Sequence, residues 1–126
     1  MAVLVDTSVW VEYFRSGENL AQLDFLLDEN LVATNELILA ELIPFLRIRR
    51  QKKVIELLQA ITRLPLKIDW QQLGEFQYQC LQAGFNGVGI PDLIIAQNTC
   101  QNSCEIYTLD KHFSLLEKIT GISVIS

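Results

Sequence analysis

Residues 2–14 of the chain read AVLVDTSVWVEYF. Ala2, Val3, Leu4 and Val5 form an unbroken apolar run, as in a strand covered on both faces of a parallel sheet. The run ends on Asp6, and Thr7 and Ser8 at once open a stretch that is apolar at helical spacing. A carboxylate at such a junction sits at the carboxyl edge of the sheet, where α/β proteins hold their ligands. The same residues also suit a helix N-terminus, because Asp, Thr and Ser cap helices and the dipole favours an acid there. The rest of the chain has to decide between the two.

Outward from this stretch, apolar runs and periodic segments alternate. Strands are predicted at Val3–Asp6, Leu31–Thr34, Leu64–Ile68, Glu105–Leu109 and Ser123–Ile125. Helices are predicted at Ser8–Arg15, Leu20–Asp28, Asn35–Arg49, Lys52–Ile61, Trp70–Ala83, Pro91–Cys100 and Lys111–Lys118. Asp69 can cap the helix that Gly84 ends, Pro91 suits a first helical position, and Pro44 should kink its helix just past Glu41. Strands alternating with helices predict an α/β fold, a three-layer α/β/α sandwich whose mostly parallel sheet has about five strands. The 126 residues make one domain, 1–126, without repeats or a linker.

Half the residues are apolar and 20% are charged, a globular composition. Ten basic residues against fifteen acidic ones give a net charge of −5, which argues against sequence-blind adhesion to nucleic acid. An odd cysteine count (Cys80, Cys100, Cys104) without a secretory signal points to a reducing cytoplasm, and with a single histidine a zinc site is not expected. Buried thiols are the expectation. No apolar run reaches membrane-spanning length, so no membrane is expected as a partner.

Four acids stand among apolar neighbours: Asp6, Glu41 in LILAELIPFL, Asp92 in GIPDLIIA and Asp110 in IYTLDKHF. Singly, each has a plain structural role open to it, a cap for the three aspartates and the rim of an amphipathic helix for Glu41. Together they say more. Asp6 and Asp110 both follow strands, so a parallel sheet brings them to one edge. Asp92 opens the helix leading into the fourth strand, a place expected at the opposite edge. It would have to reach the others through the irregular FNGVGIP segment, residues 85–91.

In the order VDTSVW, LAEL, PDLIIA and YTLDKHF, the chain resembles the PIN domain, specifically the VapC-type toxins of bacterial toxin–antitoxin pairs. The resemblance implies a metal-dependent endoribonuclease with Asp6, Glu41, Asp92 and Asp110 in one acidic site at the same edge. Thr108 then matches a hydroxyl beside that site and Ser8 the hydroxyl after the first aspartate. It implies Mg²⁺ or Mn²⁺ as cofactor, RNA as substrate, a small VapB-like antitoxin as partner, and a homodimer. One departure is AQNTCQNSC, residues 96–104, where relatives often carry more alanine.

Carboxylates suit such chemistry. Phosphodiester cleavage must orient a water and stabilise charge on the phosphoryl and leaving oxygens, which one or two bound Mg²⁺ ions achieve. Mg²⁺ takes only one or two carboxylates directly. Asp6 and Asp92 are assigned as direct ligands; Glu41 and Asp110 act through water, hold a second ion, or orient the attacking water. Two carboxylates about 5 Å apart repel by roughly 3 kcal/mol at an effective dielectric near 20, so a cluster of them wants a cation or a proton.

Arg47, Arg49, Arg50, Lys52 and Lys53, half of the basic residues, fall in RIRRQKK and make either a solvated turn or a phosphate-contacting lip. His112, the single histidine, reads as packed or hydrogen-bonded beside Phe113, and one imidazole cannot run a pancreatic-type ribonuclease mechanism. Two other functions compete: a PIN-like RNA-binding module that does not cleave, and a phosphorelay receiver. The receiver wants adjacent acids after the first strand and a lysine after the fifth, and neither is present.

Overall fold

The apolar run at the head of the chain forms β1 (Val3–Val5), every residue of it buried, and the chain turns at Asp6 into α1 (Thr7–Ser16). The order continues with α2 (Ala21–Asp28), β2 (Val32–Thr34), α3 (Glu36–Ile48), α4 (Lys52–Ala60), β3 (Thr62–Arg63), α5 (Trp70–Gln82), α6 (Ile90–Gln101), β4 (Glu105–Tyr107), α7 (His112–Thr120) and β5 (Ser123–Ile125). This computed structural model describes residues 2–16 and 20–125, so the expected domain of 1–126 extends over Met1, 17–19 and Ser126, which lie outside the described residues.

The five strands form one sheet in the order β3-β2-β1-β4-β5, and every neighbouring pair is parallel. The chain works outward from β1 to β3, crosses back, and starts again at β4 beside β1. The β1/β4 seam is therefore the topological switch point, and its carboxyl edge is where a ligand is expected. This order is not the flavodoxin-like order of receiver domains, which removes that alternative. Helix α3 packs on α1 and on α4, and α5, α6 and α7 pack with one another, making the outer layers of the three-layer α/β/α sandwich. No helix among the described residues is long and apolar enough to cross a membrane.

Trp10 of α1 and Phe113 of α7 are both fully buried, as are Leu4, Val5 and Ile106. Burying a side chain of this size stabilises by about 1.5–3 kcal/mol. These two helices start immediately beyond β1 and beyond the turn after β4, so the same burial fixes the backbone that carries Asp6 and Asp110.

Two expectations change. The third strand lies at Thr62–Arg63 instead of Leu64–Ile68. Leu64 still donates its N–H to Thr34 O at 2.8 Å, but Pro65 has no N–H to continue the ladder and its carbonyl accepts from Asn98 Nδ2 at 3.0 Å. Helix α3 runs from Glu36 through Pro44 to Ile48, as expected for this segment; Ala40, whose carbonyl loses its helical donor, and Pro44 both lie on the exposed side. Finally, α6 runs antiparallel to the strands it connects, as a crossover between parallel strands must. Its N-terminus, and with it Asp92, lies at the same carboxyl edge as Asp6 and Asp110, not the opposite one.

Candidate metal centre at the carboxyl edge

Asp6 is 5% exposed, which for a carboxylate demands donors. Its Oδ2 accepts from the hydroxyls of Ser8 at 2.8 Å and Thr108 at 2.9 Å. Ser8 Oγ in turn accepts the Leu109 N–H at 3.0 Å, and Thr108 Oγ1 accepts the Asp110 N–H at 3.0 Å. A chain of hydrogen bonds thus ties the end of β1 to the turn after β4. Helix α1 is opened by the Asp6 backbone carbonyl, which accepts the Val9 N–H at 3.1 Å. The carboxylate is left to the hydroxyls.

Glu41 is exposed on α3, and its Oε1 accepts from the Thr7 hydroxyl at 2.9 Å, one residue from Asp6. Asp92 is the third residue of α6, and its Oδ2 accepts the Gly89 N–H at 3.4 Å. Asp110 accepts the His112 N–H on Oδ1 at 2.9 Å, as a cap for α7. The plain capping role is therefore real for Asp92 and Asp110, but it occupies only part of each carboxylate.

Around the two aspartates comes a residue the sequence reading had set aside. His112 Nδ1 lies 3.2 Å from Asp110 Oδ1 and 3.8 Å from Asp92 Oδ2. Among the described residues, Asp92, Asp110 and His112 are the group whose possible ligand atoms all lie within 4.8 Å of one another. Two donors bound to one ion at about 2.1 Å sit about 3 Å apart when adjacent and about 4 Å apart when opposite. Two carboxylates and an imidazole at this spacing fit a divalent cation without large movement. Asp6 lies close enough to act on Asp92, and Glu41 is tied to Thr7 beside Asp6; neither joins the group. Burial is the first cause of a raised Asp92 pKa; the charges of Asp110 and Asp6 raise it further, while the Gly89 N–H and His112 oppose them. Three carboxylates therefore feel one another across this edge.

From sequence His112 reads only as packed or hydrogen-bonded, and Thr7 and Gly87 are given no part in the site. A Cβ on Gly87 would lie 2.7 Å from His112 Nε2, so the glycine leaves room for the ring. The signal available was a histidine two residues after an edge aspartate, opposite a glycine in the loop before Asp92.

The basic residues 47, 49, 50, 52 and 53 are all exposed at the α3–α4 turn. Arg50 adopts the left-handed conformation there (φ 56°), and the Arg49 guanidinium lies 4.4 Å over the Phe45 ring. Arg47, Arg50 and Lys52 line a groove of about 670 Å³ with Ile43 and Ile55. The cysteines are free thiols; Cys80 is buried and Cys104 partly so, but Cys100 is exposed, against expectation. Burial pushes all three thiols up from their ordinary pKa.

The family model of the PIN domain matches residues 3–119, from β1 into the last turns of α7. The chain belongs to the PIN domain family. Several solved structures share the PIN fold seen here. VapBC2 from Rickettsia felis, bound to a DNA fragment from its promoter, is 19% identical with a TM-score of 0.77, covering 99% of this chain and 98% of that one. DNA-bound VapBC from Salmonella typhimurium is 18% identical with a TM-score of 0.75, covering 99% and 97%. FitAcB from Neisseria gonorrhoeae is 21% identical with a TM-score of 0.70, covering 98% and 96%. No curated protein matches this PIN domain in sequence.

Proposed function

We propose that this PIN domain is a metal-dependent endoribonuclease of the VapC type, the toxin of a toxin–antitoxin pair. The observation that carries the reading is the meeting of Asp92, Asp110 and an imidazole within 4.8 Å at the sheet edge, with Asp6 close enough to act on Asp92 and Glu41 tied to Thr7 beside Asp6. Likeness of fold to VapBC complexes supports the choice of type.

Asp92 and Asp110 would hold Mg²⁺ or Mn²⁺, with Asp6 facing the same ion or a second one. The ion supplies Lewis acidity at the scissile phosphate and makes water a competent nucleophile at neutral pH. Ser8 and Thr108 fix the Asp6 carboxylate in one rotamer. Glu41, exposed and tethered through only one oxygen, is free to orient a water and accept its proton. Arg47, Arg49, Arg50, Lys52 and Lys53 offer contacts to RNA phosphates beyond the acids. The partners on this reading are an RNA substrate, a second copy of the chain, and a small VapB-like antitoxin. A basic side chain of the antitoxin would pair with the acids in place of the ion.

The test is cleavage of bulk RNA with Mg²⁺ or Mn²⁺ and in EDTA, with analysis of the ends. The expected result is cleavage that EDTA abolishes, leaving 5′-phosphate and 3′-hydroxyl ends. Cyclic 2′,3′-phosphate ends, or full activity in EDTA, would overturn it.

A further inference from the structure

The imidazole belongs to the cluster that carries the reading above, yet that reading gives it no role. We propose that His112 Nδ1 is a direct ligand of the ion held by Asp92 and Asp110, and that it biases the centre toward Mn²⁺ over Mg²⁺. This rests on the proposed nuclease reading only in that both put an ion at this edge.

The spacing is the first argument. Nδ1 stands 3.2 Å from one carboxylate oxygen and 3.8 Å from another, within the range from adjacent to opposite ligands on a single ion. The second argument is that the ring's place is built. The His112 N–H donates to the same Asp110 oxygen at 2.9 Å, which fixes the start of α7 against the acid. On its far side the ring fills the space where a side chain on residue 87 would be, with Nε2 2.7 Å from that Cβ position. Among the described residues, Gly84 and Gly121 are the glycines with positive φ, and Gly87 is not among them. Its backbone could therefore carry a side chain, and the ring in its present place is what that side chain would have to displace. Because Gly87 and Asp92 belong to one segment, the loop that presents the carboxylate also leaves the ring its place.

The ligand set then decides the metal. Mg²⁺ is hard, prefers oxygen and keeps several waters. An imidazole nitrogen suits the transition ions, and affinity of a mixed nitrogen–oxygen site rises along the divalent first row from Mn²⁺.

A single histidine makes the test unambiguous, provided the protein carries no tag. Mn²⁺ is bound to the full chain and pulsed EPR is used to look for ¹⁴N coupling from an imidazole ligand, while calorimetry gives Mn²⁺ and Mg²⁺ affinities for the wild type, His112→Gln and Gly87→Ala. The expected result is nitrogen coupling in the wild type and none in His112→Gln. That variant should lose about 10-fold or more in Mn²⁺ affinity and less than about threefold in Mg²⁺ affinity. Gly87→Ala, which keeps every ligand but crowds the ring, should weaken Mn²⁺ in the same direction. Bound Mn²⁺ without nitrogen coupling in the wild type, or equal loss of both ions in His112→Gln, would overturn the inference while leaving metal-dependent cleavage of RNA intact. Failure of either ion to bind would overturn both. The wild-type spectrum decides even where a variant does not fold.

Discussion

Asp6 holds two hydroxyls on one oxygen, and that arrangement separates a structural acid from a metal-binding one. In Asp6→Asn the amide oxygen can still accept both hydroxyls, so the local geometry survives while one negative charge leaves the edge. Metal-free stability should rise by about 1–3 kcal/mol through relief of like-charge repulsion. Mg²⁺ should raise the melting temperature of the wild type and do much less for the variant, by binding linkage, and cleavage should be lost. Melting curves with and without Mg²⁺ check this; equal Mg²⁺ stabilisation of both proteins would leave Asp6 a structural residue only. Thr108→Val acts in the other direction. It takes one donor from a buried carboxylate and the acceptor from the Asp110 N–H, and should cost about 1–3 kcal/mol in urea unfolding. At this scale the sequence was legible where chemistry is conspicuous: acids in apolar surroundings stand out. His112 was not, because Phe113 beside it is a core residue. Adjacent positions in a helix face different ways, so the burial of Phe113 leaves His112 turned toward the acids.

Helix α6 shows why AQNTCQNSC departs from alanine. Residues 93–99 are buried on every face of the helix, and the polar ones among them hold neighbouring segments. Asn98 accepts from Asn35 Nδ2 at 2.9 Å and donates to Pro65 O at 3.0 Å; Asn35 in turn caps α3 by accepting the Ile38 N–H at 2.8 Å. Gln97 accepts the Asp69 N–H at 3.1 Å and donates to Gln72 Oε1 at 2.7 Å. The helix carrying Asp92 is thereby fastened to the start of the helix carrying Glu41 and to the segment leading into α5. Asn98→Leu should cost about 1–3 kcal/mol, because it strands the buried Asn35 amide and takes the donor from the Pro65 carbonyl. The double variant with Asn35→Ala should cost less than the sum of the two single changes, since both remove the same bond. Urea melts of the three variants measure it. Element types were readable from periodicity, and their order predicted the parallel sheet. The third strand was misplaced because LPLKI carries apolar spacing without the N–H groups a strand needs. Topology alone put Asp92 at the opposite edge and the resemblance put it at the right one; α6 has to end at the amino edge to feed β4, so its N-terminus lies at the carboxyl edge.

Over the whole molecule, a net charge of −5 repels a polyanion, so RNA binding needs a local exception. The exposed basic turn between α3 and α4 supplies one on the helix that also carries Glu41; Arg47 begins about 9 Å further along its axis. Replacing Arg49, Arg50 and Lys52 by alanine should weaken RNA binding and reduce the slope of log affinity against log salt by about 2–3, one contact per residue. Titrations from low to high salt check it. Unchanged affinity across that range would return the turn to solvent. Charge distribution of this kind was readable from sequence, whereas the groove it lines was not, since that depends on how α3 and α4 meet.

The β1/β4 seam also sets a schedule. Asp6 and Glu41 lie before the chain crosses the sheet and Asp92 and Asp110 after it, and the hydroxyl of Thr108 reaches Asp6 only once β4 has paired with β1. A ribosome adds about 5–20 residues per second, so the roughly 70 residues between Glu41 and Asp110 take about 4–14 s to make. Until Asp92 is added the growing chain holds two of the four acids, and until β4 pairs with β1 it has no means of closing the centre. On the proposed function, a protein that cuts RNA stays harmless to the message encoding it until the second half of the sheet has been translated and docked.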